Sequence, residues 1–162
     1  MLALSIKQPW SELIVMGKKS IEVRTWLPEK SQRFAEGQTI AIHASKKYGE
    51  DAPIMLEYEA CYSAPRGAGQ GFAPVTASER CGGIIGAAKL VESFRFEDKQ
   101  QWIAAANQHL NPPEWWDDGT GLCGWVFAHA VRFEEIIPCS GQLRLFALYH
   151  EIVEQVQERM RQ

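Results

Sequence analysis

Hydrophobic and polar positions alternate from the second residue onward. Leu2, Leu4 and Ile6 alternate with Ala3, Ser5 and Lys7, the period of a half-buried strand. Pro9 fits the first turn of a helix, where a missing N–H costs nothing. Trp10, Leu13 and Ile14 then fall on one helical face, and Gly17 suits the left-handed residue that closes a helix. From Ser20 the period returns to two: Ser20, Glu22, Arg24 and Trp26 point one way, and Ile21, Val23 and Thr25 the other.

Residues 27–38 read as a polar connection, with Gly37 turning into the next strand. Over Thr39–Ser45, Ile40, Ile42 and Ala44 share one side. A short helix is expected over 51–60, with Asp51 as cap and Pro53 in its first turn. Residues 63–80, rich in Gly, Ala, Pro and Ser, predict a long loop. Its GAGQG piece follows no strand and opens no helix, so only a flap carrying Arg66 towards phosphate is suggested. Cys81–Val91 reads as a strand whose small residues signal close backbone approach.

The spacing predicts a helix over 98–110, with Asp98 as cap and Trp102, Ile103, Ala106 and Leu110 inward. Residues 111–121 form a turn-rich loop. Trp115 and Trp116 are expected to wedge it against the core rather than to offer a stacking face. Cys123–Phe133 reads as a central strand with Trp125, Phe127, His129, Val131 and Phe133 on one face and His129 structural. Leu143–Leu148 makes a last strand. Tyr149–Met160 closes as an amphipathic helix with Ile152, Val153, Val156 and Met160 inward.

The chain has 162 residues, 46% hydrophobic and 23% charged, which fits one globular domain. No apolar run approaches the ~20 residues of a membrane span, and the N-terminus lacks a signal-peptide pattern. A cytoplasmic location is expected. Cys61, Cys81, Cys123 and Cys139 show no paired metal spacing, so isolated thiols and no metal or cofactor are expected. The net charge of −3 argues against coating a duplex through its phosphates. It leaves room for a local basic cleft serving a single strand or a nucleotide.

Candidate chemistry gathers near the start. Lys19 precedes a strand face bearing Glu22, Arg24 and Trp26, and the Lys7–Gln8–Pro9 corner brings a helix N-terminus close by, an end that favours anions. On spacing alone, a solvated face with a Glu–Arg pair is the plainer reading. Two stretches, LSIKQPW and GKKSIEVRTW, resemble the ASCH (activating-signal-cointegrator homology) family, relatives of PUA RNA-binding domains. Gly17, Lys19, Glu22 and Arg24 match its Gly-x-Lys-x-x-Glu-x-Arg motif in full. The resemblance implies an α+β fold: a PUA-like mixed β-barrel of about six strands with capping helices, one domain over 1–162, with 149–162 as a helical extension. It places His43, Ser45 and Lys46 near the same cleft, and Gly141, Gln142 and Phe146 loosely resemble a further family segment.

The function implied is binding of RNA, single-stranded nucleic acid or a nucleotide, with no membrane partner. The cleft would be built from Lys7, Gln8, Trp10, Lys19, Glu22, Arg24, Trp26, His43, Ser45 and Lys46. A second expectation is a hydrolase, either a ribonuclease or an enzyme like the acylcytidine amidohydrolases, with Lys19 and Glu22 catalytic. In those amidohydrolases the lysine works with a threonine, where this chain has Glu22, so that triad is not reproduced. A third is a protein-interaction module of transcription-coactivator type, which would leave an apolar patch on the terminal helix.

Overall fold

The predicted alternation builds a six-stranded mixed sheet. In a computed structural model, which describes residues 1–30, 37–48 and 80–162, the elements run β1 (Leu2–Gln8), α1 (Trp10–Val15), β2 (Ile21–Arg24), β3 (Thr39–Tyr48), β4 (Gly83–Arg95), α2 (Lys99–Ala104), α3 (Ala106–His109), β5 (Cys123–Pro138), β6 (Leu145–Ala147) and α4 (His150–Arg159). The helix expected at 51–60, Cys61, and the loop of 63–79 with Arg66 lie outside the described residues.

The strand order is β2-β5-β4-β3-β1-β6. β1 and β3 run parallel, and the other neighbours are antiparallel. A flat sheet would hold β2 roughly 19 Å from β1, four strand spacings away. Instead the Arg24 side chain on β2 donates a 2.9 Å hydrogen bond to the Ser5 carbonyl on β1. The sheet therefore curls into a half-barrel, the α+β PUA-like architecture expected, with β2 and β6 as its edges. Close approach needs small residues, as the β4 sequence signalled: a Cβ on Gly86 would lie 2.6 Å from Val15 Cγ1.

The concave side holds the main core. Leu2, Leu4, Ile6, Ile40, Ile42 and Ala44 pack there with Trp10, Leu13, Ile14, Trp125 and Phe127. α1 lies inside the curl, and all six of its residues are buried. Gly17, at φ +70°, ends it as predicted. On the other side Ala3, Ala41, Ile84, Ala87, Phe133, Ile137 and Phe146 meet Val156 of α4, with Ile152 and Met160 beside it. The terminal helix thus folds back onto the sheet and covers its own apolar stripe.

Two expectations fail for local reasons. β5 does not keep one face. His129 adopts φ +50° where the β4–β5 register slips, Ala87 opposing Val131 and Lys89 opposing Ala128. The extra residue inverts the alternation: Trp125 and Phe127 face the concave core, while Val131 and Phe133 face the other side. His129 itself is exposed rather than part of an aromatic face. The 98–110 helix forms with Asp98 capping the Gln101 N–H at 2.8 Å, but it breaks at Ala105, whose ψ is 7°. Ile103, next to the buried Trp102 on the same helix and so about 100° round from it, points outward, 49% exposed. Trp102 and His109 are the inward pair, stacked at 3.9 Å.

An ionic knot ties α1 to the hairpin of β4 and β5. Glu12, fully buried, accepts from Arg80 Nε at 3.0 Å and also pairs with Arg132. Arg80 further donates to the carbonyls of Glu134 at 2.7 Å and Phe133 at 2.8 Å. Removing one cation would leave a buried carboxylate poorly compensated. Arg80→Leu should therefore lower the unfolding free energy by about 3–5 kcal/mol in a urea titration. A loss within the surface range of ~0.5 kcal/mol would refute the assignment.

Candidate functional site

One end of the curl opens into a cleft of about 1110 Å³. The carboxyl ends of the parallel pair β1 and β3 supply Ser5, Ile6, Lys7, His43, Ser45 and Lys46. Trp10 comes from α1, and Glu22 and Arg24 from β2. Gly82 and the segment Pro138–Leu143 complete the wall. Register breaks fall between Ile6 and Gln8 and between Ile42 and His43. Such irregularities re-aim side chains at strand ends.

Seven predicted residues meet here: Lys7, Trp10, Glu22, Arg24, His43, Ser45 and Lys46. Three others stand elsewhere. Gln8 is turned inward and fully buried. Its amide donates to the Arg80 carbonyl at 2.9 Å and accepts from the Glu12 N–H at 3.2 Å, so it fixes the corner instead of meeting a ligand. Trp26 packs edge-on against Trp125 at 4.6 Å, with the Arg144 guanidinium 6.0 Å over its ring. Lys19 lies behind the wall.

Lys19 is the most constrained charge in the site. Its side chain is 1% exposed. Nζ donates to the His109 carbonyl at 2.5 Å, lies 3.4 Å from Asn111 Oδ1, and stands 4.9 Å over the Trp10 ring. Glu22 Oε2 is 3.7 Å away. Burial lowers the lysine pKa from 10.5 to about 8, with Glu22 opposing the shift and Arg24 adding slightly to it. Glu22 also pairs through Oε1 with Arg24 Nη2 at 3.2 Å. The carboxylate is thus pinned between a buried lysine and a half-buried arginine, and Glu22 lines the cleft.

His43 has both ring nitrogens engaged. A carbonyl can only accept, so Nε2–H donates to Cys139 O at 3.2 Å and Nδ1 accepts the Ser5 hydroxyl at 3.1 Å. This is the neutral form, and burial holds its pKa below the usual value. Gly141 lies against this pair: a Cβ there would sit 2.5 Å from His43 Cε1 and 2.7 Å from Ser5 Oγ. Only a residue without a side chain closes that wall.

Sequence reasoning missed Ser5, the Pro138–Ser140 run and His109. The last had a signal, seven positions after Trp102 on one helical stripe. Of the two tryptophans, Trp116 packs near Trp102 with its indole N–H on Asp118 at 2.6 Å. Trp115 remains 40% exposed and meets Trp10 edge-on at 6.2 Å. Among the described residues, no helix is long and apolar enough to cross a membrane.

The ASCH domain family model matches residues 4–139. The crystal structure of ASCH from Zymomonas mobilis aligns with a TM-score of 0.61 and 14% identity, covering 97% of this chain and 93% of that one. A tyrosine-to-phenylalanine mutant of the Zymomonas mobilis protein aligns with a TM-score of 0.61 and 15% identity over 97% and 96% of the two chains. A serine-to-alanine mutant gives a TM-score of 0.61 and 14% identity over 97% and 94%. No curated protein matches the sequence. These structural likenesses establish the fold.

The buried lysine sets a pH dependence. Between pH 8 and 10.5 the unfolded chain holds a Lys19 proton that the folded chain has released. Stability therefore rises with pH across this window, and below it the cost of burying the ammonium is present in full. Cys81 and Cys139, whose thiol pKa values burial raises, act in the opposite direction. The difference between wild type and Lys19→Met cancels them. In urea titrations across that range, the wild-type advantage should grow with a slope approaching one proton. Parallel profiles would contradict the buried-charge assignment.

Proposed function

The chain belongs to the ASCH domain family, and from that premise we propose that it binds RNA or single-stranded nucleic acid by seating one nucleotide in the cleft. One observation carries this reading: a chain of net charge −3 gathers Lys7, Arg24 and Lys46 around one hollow, where Glu22 is the only carboxylate among the described residues of the wall. Local positive potential in an acidic protein selects a small anionic ligand rather than a long duplex. Lys7 and Lys46, exposed at the mouth, meet phosphate. Ile6, Trp10 and Leu143 supply the apolar surface that a base requires. Ser45 and Gln142 add adaptable hydrogen bonds.

Lys19 acts in this reading as a positioning residue, holding Glu22 from behind. Its ammonium is bonded to the His109 carbonyl and lies behind the cleft wall, which favours binding over a hydrolytic role for that lysine.

Short single-stranded RNA, followed by fluorescence anisotropy between ~50 and ~200 mM salt, should bind less tightly as salt rises. Lys7→Ala and Lys46→Ala should each weaken binding and lower the slope of log K against log salt by about 0.7. Both side chains are exposed, so the fold tolerates the changes. Absence of binding at low salt, or slopes untouched by either variant, would sink the proposal.

A further inference from the structure

We infer that the cleft reads guanine, through the Watson–Crick edge and by the paired side chains of Glu22 and Arg24; this rests on the nucleotide-binding reading above. The lone pairs of a pinned carboxylate decide what the wall can accept. Glu22 Oε2 faces Lys19 Nζ at 3.7 Å, and Oε1 faces Arg24 Nη2 at 3.2 Å. Each carboxylate oxygen accepts along two directions. Arg24 engages Oε1, and the ammonium stands off Oε2 at ion-pair distance, so each oxygen keeps a direction for the cleft that Glu22 lines. Neither cation can turn away easily. Lys19 is buried and bonded to His109, and Arg24 is anchored on the Ser5 carbonyl.

Both bonds of Arg24 run through Nη2, which leaves Nη1 for the cleft, where the side chain is 23% exposed. The wall therefore presents acceptor, acceptor and donor in a row: Oε2, Oε1 and the guanidinium. The Watson–Crick edge of guanine carries the complement in order, the N2 amine, the N1–H and the O6 carbonyl. Cytosine would bring its N3 lone pair against a carboxylate oxygen, as adenine would its N1. Uracil offers a single N–H between two carbonyls. Two parallel N–H donors on an ionised carboxylate make charge-assisted bonds, the stronger kind. A buried acceptor left unmatched by the wrong base is costly.

The test uses the intact chain and free nucleotides, read by isothermal calorimetry. Guanosine monophosphate should bind about tenfold more tightly than inosine monophosphate, which lacks only the N2 amine. Adenosine, cytidine and uridine monophosphates should fall at least as far behind. Methylation at N1 should abolish the preference, whereas 7-deazaguanosine monophosphate, altered on the opposite edge, should bind like the parent. Glu22→Gln should erase the difference between guanosine and inosine. The analogue series on the unaltered protein decides the question even where that variant fails to fold. Equal affinity for all the monophosphates, or unimpaired binding of the N1-methylated base, would overturn the guanine assignment and leave nucleotide binding standing. Failure of every nucleotide to bind would overturn both.

Discussion

An ammonium group shut away from water must be answered by carbonyl oxygens, a π face and negative charge, and Lys19 imposes that demand on this chain. Its partners come from distant parts of the sequence. His109 closes α3, Asn111 opens the following loop, Glu22 lies on β2 and Trp10 starts α1. Meeting them fixes three elements against one another. The backbone repeats the tie: Lys19 N–H bonds to Leu13 O at 3.0 Å, and Ser20 N–H to Gln108 O at 3.1 Å. A helix that ends elsewhere than at Gly17 would point the lysine into solvent and leave Glu22 with Arg24 alone.

Glu12 and Glu22 show how similar charge arrangements take different work. Each is a carboxylate between two cations. Glu12 is fully enclosed, and Arg80 carries its remaining donors to backbone carbonyls, so nothing is left over for a ligand. Such an enclosed cluster holds parts together without adding much net stability, because desolvation offsets the Coulombic gain. Glu22 is also mostly buried, yet one side of it faces the cleft. The first joins α1 to the β4–β5 hairpin; the second meets whatever enters.

What the sequence makes legible follows from the range of each interaction. Alternation is local, and the faces of β1, β2 and β3 could be read from it. The bulge at His129 depends on the register between β4 and β5, which no window of neighbouring residues records, so alternation alone puts the second half of β5 on the wrong side. The Glu12–Arg80 pair spans 68 positions and Glu12–Arg132 spans 120. Neither leaves a local trace, so the sequence points Gln8 to the cleft when it serves that knot. The family motif supplied Lys19, Glu22 and Arg24 together, and desolvation of the lysine could be anticipated. That its ammonium would lie behind the wall depends on α3, whose existence follows from the break at Ala105.

The division of labour around the cleft bears on binding against turnover. Proton transfer needs a group with a free lone pair or a labile proton aimed at the ligand. The two nitrogens of His43 are occupied by Ser5 and Cys139, and the ammonium of Lys19 is occupied by His109. The exposed groups are of another kind: Lys7 and Lys46 at the mouth, and the outer edge of Arg24. Lysine and arginine side chains at such places are good partners for phosphate. His43 and Lys19 are locked into the scaffold, while Lys7, Lys46, Arg24 and the carboxylate of Glu22 line the cleft. Under the proposed nucleotide reading, that arrangement suits recognition by charge and shape, with Glu22 as the carboxylate that a base would meet.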